Sequence, residues 1–184
     1  MKKKLILLAS LAAILLAAAG GSIAYFTTHA TATNVITAGN VRMTLHDETA
    51  DGKAFPQEGL STLMPGDTAD KIVYVENTGD NAFYTRIKLR CSAQSPDGAA
   101  LSFDKIALNI NTANWQLGAD GWYYYNSAVE KGAQTGPLFT EVTLLPDTGN
   151  AYMDANVSIE IVAQAVQKAN NGATVWQAVG WPSE

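Results

Sequence analysis

Apolar side chains recur at every second position along most of this chain, and a period of two sends alternate side chains to opposite faces of an extended backbone. The clearest case is Ala82 to Cys91, where Phe83, Thr85, Ile87, Leu89 and Cys91 share one face and Tyr84, Arg86, Lys88 and Arg90 the other. One face of such a strand packs and the other meets water. Val41 to His46 alternates in the same way, with Val41, Met43 and Leu45 on one side. So does Lys105 to Asn111, with Ile106, Leu108 and Ile110 inward. Val157 to Gln167 places Val157, Ile159, Ile161, Ala163 and Ala165 on one side, and its β-branched run favours strand over the helix that its Ala and Gln content would allow.

The punctuation between these segments is that of an antiparallel protein. Met64-Pro65-Gly66-Asp67 reads as a turn, Pro fixing one dihedral and Gly permitting a positive one. Asn77-Thr78-Gly79-Asp80 reads as a hairpin joining a strand over Lys71 to Glu76 to the strand from Ala82, and Gly118-Ala119-Asp120-Gly121 as a second hairpin between Trp115 to Leu117 and Gly121 to Tyr125. Leu138 to Leu145 adds another strand, whereas Glu48 to Leu63 has no sustained period and reads as a long loop. About nine short strands of this kind predict an all-β fold, an antiparallel β-sandwich of jelly-roll type.

The first residues follow another rule. Lys2, Lys3 and Lys4 precede an apolar run from Leu5 to Ala19, the charged start and apolar core of a secretory signal helix. Gly20 and Gly21 end it, and Ser22 and Ala24 put small residues where a signal peptidase reads, so cleavage is expected between Ala24 and Tyr25. An uncleaved membrane anchor is the competing reading, since no charge occurs from Leu5 through Thr28. The expected organisation is a signal peptide over 1–24, an N-terminal strand segment over 25–38 and one β-sandwich domain over 39–184. Membrane contact is expected only before cleavage.

Together these residues resemble the TasA and camelysin family of exported proteins from Gram-positive bacteria. The resemblance lies in Gly20-Gly21-Ser22-Ile23-Ala24-Tyr25-Phe26-Thr27, in Thr31-Ala32-Thr33-Asn34 and in Ile36-Thr37-Ala38-Gly39-Asn40-Val41. It continues through Met64-Pro65-Gly66-Asp67, Val75-Glu76-Asn77-Thr78-Gly79 and Asp120-Gly121-Trp122-Tyr123-Tyr124-Tyr125 with Leu138-Phe139-Thr140. It implies a β-sandwich, processing by a signal peptidase of the SipW type, and a place in the extracellular matrix or at the cell surface. It also implies two activities to weigh, assembly into biofilm matrix fibres and a surface metallopeptidase.

The chemistry of a peptidase is weakly represented. A His-Glu-x-x-His helix would put two imidazoles one turn apart beside a general base, but the only histidines are His29 and His46, and neither has that context. His46 and Glu48 fall on one strand face and Asp47 on the other. The acidic residues from Asp47 lack EF-hand spacing. No Ser-His-acid constellation stands out, so no catalytic residue, metal or cofactor is expected. Cys91, the only cysteine, allows no intramolecular disulfide and reads as a small buried hydrophobe. The formal charge of −5 becomes −8 once the three leader lysines are removed, which disfavours nucleic acid as a partner. Arg86, Lys88 and Arg90 read as a solvated stripe that a wall polymer could meet. Trp115, Trp122 and Tyr123 to Tyr125 would form a glycan-stacking platform wherever they are not core, giving a wall-binding module as a further alternative.

Tyr25 to Thr37 is the best functional candidate. Extended, it carries Phe26, Ala30, Ala32 and Ile36 on one face and Thr27, His29, Thr31 and Thr33 on the other, without Pro or Gly. Such a segment can pair with an open sheet edge, and on a neighbouring copy it would act as a donor strand. Repeated head to tail, that contact does not close and propagates as a fibre whose principal partner is the chain itself.

Overall fold

The computed structural model describes residues 36–38, 41–56, 64–152 and 154–183. Among the described residues ten strands form two sheets: β1 (Ile36–Ala38), β2 (Met43–Glu48), β3 (Thr68–Asn77), β4 (Phe83–Gln94), β5 (Ala100–Leu101), β6 (Ile106–Leu108), β7 (Trp115–Leu117), β8 (Trp122–Tyr125), β9 (Phe139–Leu144) and β10 (Asn156–Gln167). The larger sheet has the order β1-β10-β4-β8-β7, with β5 on the end of β4, and the smaller has the order β2-β3-β9-β6. Among the described residues all strand pairings are antiparallel except that of β1 with β10.

The core lies between the sheets, as a β-sandwich requires. Val73, Val75 and Phe139 of the smaller sheet join Phe83, Ile87, Ile159, Ile161 and Ala163 of the larger one in a single apolar cluster. The inward set expected for β10 is buried throughout. On β4, Phe83, Thr85 and Ile87 are fully buried, with Leu89 and Cys91 packed against the cluster. Burial pushes the Cys91 thiol up to about 11, which suits a packing role. Ile106 is buried, and Leu108 and Ile110 pack beside it.

Two turns match their chemistry. Gly66 has φ +96°, and the Asp67 amide donates to Met64 O at 2.8 Å, closing the Pro-Gly turn. Gly121, at φ +80°, closes the β7–β8 hairpin.

The Asn77 to Asp80 segment differs from expectation. It does not make a hairpin: β3 belongs to the smaller sheet and β4 to the larger, so the turn carries the chain across the sandwich. The reason lies in Asn77, whose side chain is buried. Its Nδ2 donates to Asn81 O and to Val129 O, each at 2.9 Å, and its Oδ1 accepts from the Gly79 amide. A Cβ at Gly79 would stand 2.8 Å from the Arg42 backbone nitrogen, so the crossing also needs a residue without one.

The order β2-β3-β9-β6 opposite β10-β4-β8 places strands as in immunoglobulin-type sandwiches, where four strands face a sheet built on the C and F strands. In that arrangement β4 takes the place of C and β10 the place of F. The outer edge of β10 is taken by β1.

Candidate functional site

The outer edge of β10 is the candidate assembly site. β1 runs parallel to it with Ile36 opposite Gln164, Thr37 opposite Ala165 and Ala38 opposite Val166. Of the residues that sequence reasoning assigned to the donor strand, Ile36 is brought to this edge. Phe26, Ala30 and Ala32 lie outside the described residues, as do the expected cleavage pair Ala24 and Tyr25 and the signal helix.

The chain beyond β10 does not return along the edge. It turns back at Lys168, whose amide donates to Ala82 O at 2.9 Å, and lies over the outward face of the larger sheet. Asn171 secures the fold-back: its Nδ2 donates to Gln167 O and Val179 O, and its Oδ1 accepts from the Val179 amide. Tyr84 Oη donates to Gly172 O at 3.0 Å. Gly172 is enclosed so tightly that an added Cβ would meet Gln177 at 2.5 Å.

This covering corrects the picture of β4 as a strand with one wet face. Tyr84, Trp122, Tyr124, Val166 and Val175 form a second apolar cluster on the outward side, with Trp181 packed on it. Arg86, expected in a solvated stripe, is only 9% exposed. Its guanidinium lies 4.3 Å from the centre of the Trp122 ring and 4.6 Å from that of Trp181, a stacked cation held between two aromatic faces. Nε and Nη2 both donate to Gln164 Oε1, at 3.0 and 2.8 Å, and Nη1 donates to Tyr124 Oη at 2.8 Å. Gln164 Nε2 in turn donates to Pro182 O. Gln164 therefore joins three things: the backbone rung with Ile36, the Arg86 side chain and the C-terminal segment.

Asp120 closes this network, accepting from Tyr124 Oη at 2.7 Å and from Arg86 Nη1 at 3.3 Å. Partial burial works to raise its carboxyl, but the hydrogen bonds from Tyr124 and the Trp122 amide, with the Arg86 charge, hold it below the ordinary carboxylate range. Burial first, then the bond to Asp120, raises the Tyr124 phenol. The rest of the stripe keeps the expected character. Arg90 sits opposite Glu160 in register and bonds it at 3.4 Å, and Lys88 Nζ lies over Trp122.

The aromatic platform is largely used up in packing. Trp115 and Trp122 are buried, and Tyr123 and Tyr125 back onto the main core while Tyr124 joins the outer cluster. Among the described residues the exposed aromatic surface is instead Trp176, at 47%, with its ring 4.6 Å from that of Tyr124. The sequence signal for it was two tryptophans in a tail without period, which gives no face.

His46 and Glu48 share a face as expected. The imidazole stacks on Tyr74, with ring centres 4.4 Å apart, and its nitrogens meet Glu48 Oε1 at 2.9 Å and Glu76 Oε2 at 2.8 Å. Among the described residues no group of three His, Cys, Asp or Glu is placed to hold a metal. Asp47 points to the opposite, inward side, onto Lys71. Among the described residues no helix is long and apolar enough to cross a membrane.

No family model matches the sequence, and no curated protein matches it. Among solved structures the chain is similar to the ASH/PapD-like domain of human CEP192 (PapD-like domain 7), with a TM-score of 0.35 and 10% identity over 78% of this chain and 99% of that one.

Proposed function

We propose that the protein is an exported structural subunit that polymerises by strand donation, its N-terminal segment completing the β10 edge of a neighbouring copy to build an extracellular or biofilm matrix fibre. The observation that carries this reading is the parallel pairing of Ile36–Ala38 with β10. The edge is filled by the segment before the sandwich, while the residues that follow β10 lie over the outer face.

A short strand laid on an exposed edge is held by main-chain hydrogen bonds that any copy of the same segment can make, so the edge does not distinguish its own segment from a neighbour's. The leader adds control in this reading. A segment fused to an apolar helix stays at the membrane, and cleavage after Ala24 releases it where other copies are present. Processing by a peptidase of the SipW type fits that order.

A labelled peptide of residues 25–38, added to protein beginning at Ala38, tests the edge directly. Saturable binding that is abolished by proline at Ala165, where a ladder amide would be lost, is the expected result. Binding that is absent, or indifferent to the proline, contradicts the proposal.

A further inference from the structure

Lys71 is the most unusual residue of the sandwich. It shares parity with Val73 and Val75 on β3, so strand geometry sends its side chain inward among them, and it is fully buried. Its partner is Asp47 on β2. Asp47 lies opposite Val73, which makes Lys71 its diagonal neighbour on the same face of the pair. Nζ stands 2.6 Å from both carboxylate oxygens, and the side chain of Asp47 is only 7% exposed. The Phe55 ring closes the remaining side, with its centre 3.8 Å from Nζ, and the Phe55 amide anchors to Asp47 O at 2.8 Å.

We propose that Lys71 and Asp47 condense to an intramolecular isopeptide bond that covalently ties β2 to β3. An amine equidistant from both oxygens of one carboxyl has the carbon between them inside the roughly 3–3.5 Å of a near-attack contact. Two charges so enclosed are costly as ions and lose that cost by becoming neutral. Burial pushes the Lys71 ammonium down and the Asp47 carboxyl up, each against the attraction of its partner, and the Glu48 charge lifts Asp47 further. Moving one proton from Nζ to the carboxylate gives a free amine and a neutral acid. The amine lone pair then attacks Cγ, a second Nζ proton passes to the departing hydroxyl, and one water leaves as the C–N bond forms. The ammonium and carboxylate become an amide and water, with no oxidant or co-reactant. In a chain without a disulfide, the bond would also close the long connection between β2 and β3.

Intact mass measurement of the purified, denatured full chain, its N-terminus fixed by sequencing, tests this. The expected mass is lower than the sequence by one water. Digestion should give a branched peptide joining the Lys71 and Asp47 segments, with no tryptic cleavage after Lys71. Lys71→Arg should show the full mass of its own sequence, with no water lost, whether or not it folds. An unmodified mass for the natural chain overturns the proposal. So does a lost water that maps to an Asp-Gly succinimide at Asp51, Asp97 or Asp120 instead of a branched peptide.

Discussion

β10 has two neighbours, and they differ in nearly every respect that fixes a strand in place. On one side β4 pairs antiparallel with it over its full length, from Asn156 opposite Gln94 to Gln167 opposite Phe83, and the seam carries core residues of the larger sheet. On the other side β1 pairs parallel over three residues. Each net hydrogen bond is worth about 1 kcal/mol, while ordering each residue costs about 1–2 kcal/mol. Three rungs therefore come out at or below zero unless the side chains add burial, whereas the β4 seam draws on the whole core. The first pairing belongs to the domain; the second is the one that the proposed strand donation requires to be exchangeable.

The comparison breaks first at the inner face. Ile161→Ala should cost about 2–5 kcal/mol by opening a cavity in the core between the sheets, read as a shift in the denaturant midpoint. A change much smaller than that would mean the core packing of β10 is not what holds it. The next largest effect is expected at the outward face. Arg86→Ala strips Gln164 Oε1 and Tyr124 Oη of a buried donor and empties the space between Trp122 and Trp181, at about 1–3 kcal/mol. Loss of the same order from Trp181→Ala, with less than additive loss in the double variant, would show that the two act together.

Starting the chain at Ala38 should move the midpoint by less than about 1 kcal/mol while removing assembly, so the edge residues separate function from stability. The smallest effect belongs to Asp120. Its carboxyl is lowered in the folded state, so its contribution is fully present above the unfolded value near 3.8 and is lost as pH falls through the lower folded value. Asp120→Asn should flatten that part of the acid limb, and an unchanged limb would detach Asp120 from the Arg86 network.

Much of this architecture was legible because alternation reports which residues share a face. It placed the inward sets of β4 and β10 and the opposed directions of His46 and Asp47. It could equally have flagged Lys71, which keeps step with Val73 and Val75, but a lysine in a strand is ordinarily at the surface. Alternation does not say what covers a face. Tyr84 and Arg86 looked solvated because the segment that buries them, around Trp176 and Trp181, has neither period nor regular structure beyond the 3₁₀ turn Val175–Gln177. Nor does a turn motif say which sheet its second strand joins. Asn77 to Gly79 has hairpin chemistry, yet the bonds from Asn77 to Asn81 and Val129 direct it across the sandwich. The proposed donor segment, Tyr25 to Ala38, is a reading of the sequence, of which the described residues include only Ile36–Ala38, while the edge of β10 beside it emerged only from the strand order.

Size-exclusion chromatography with electron microscopy of Tyr25 to Glu184, beside the same chain begun at Ala38, bears most directly on strand donation. Both forms should show the same far-ultraviolet spectrum and a single unfolding transition, with filaments or large oligomers from the longer form alone. Two folded, indistinguishable monomers, or filaments from both, would contradict it.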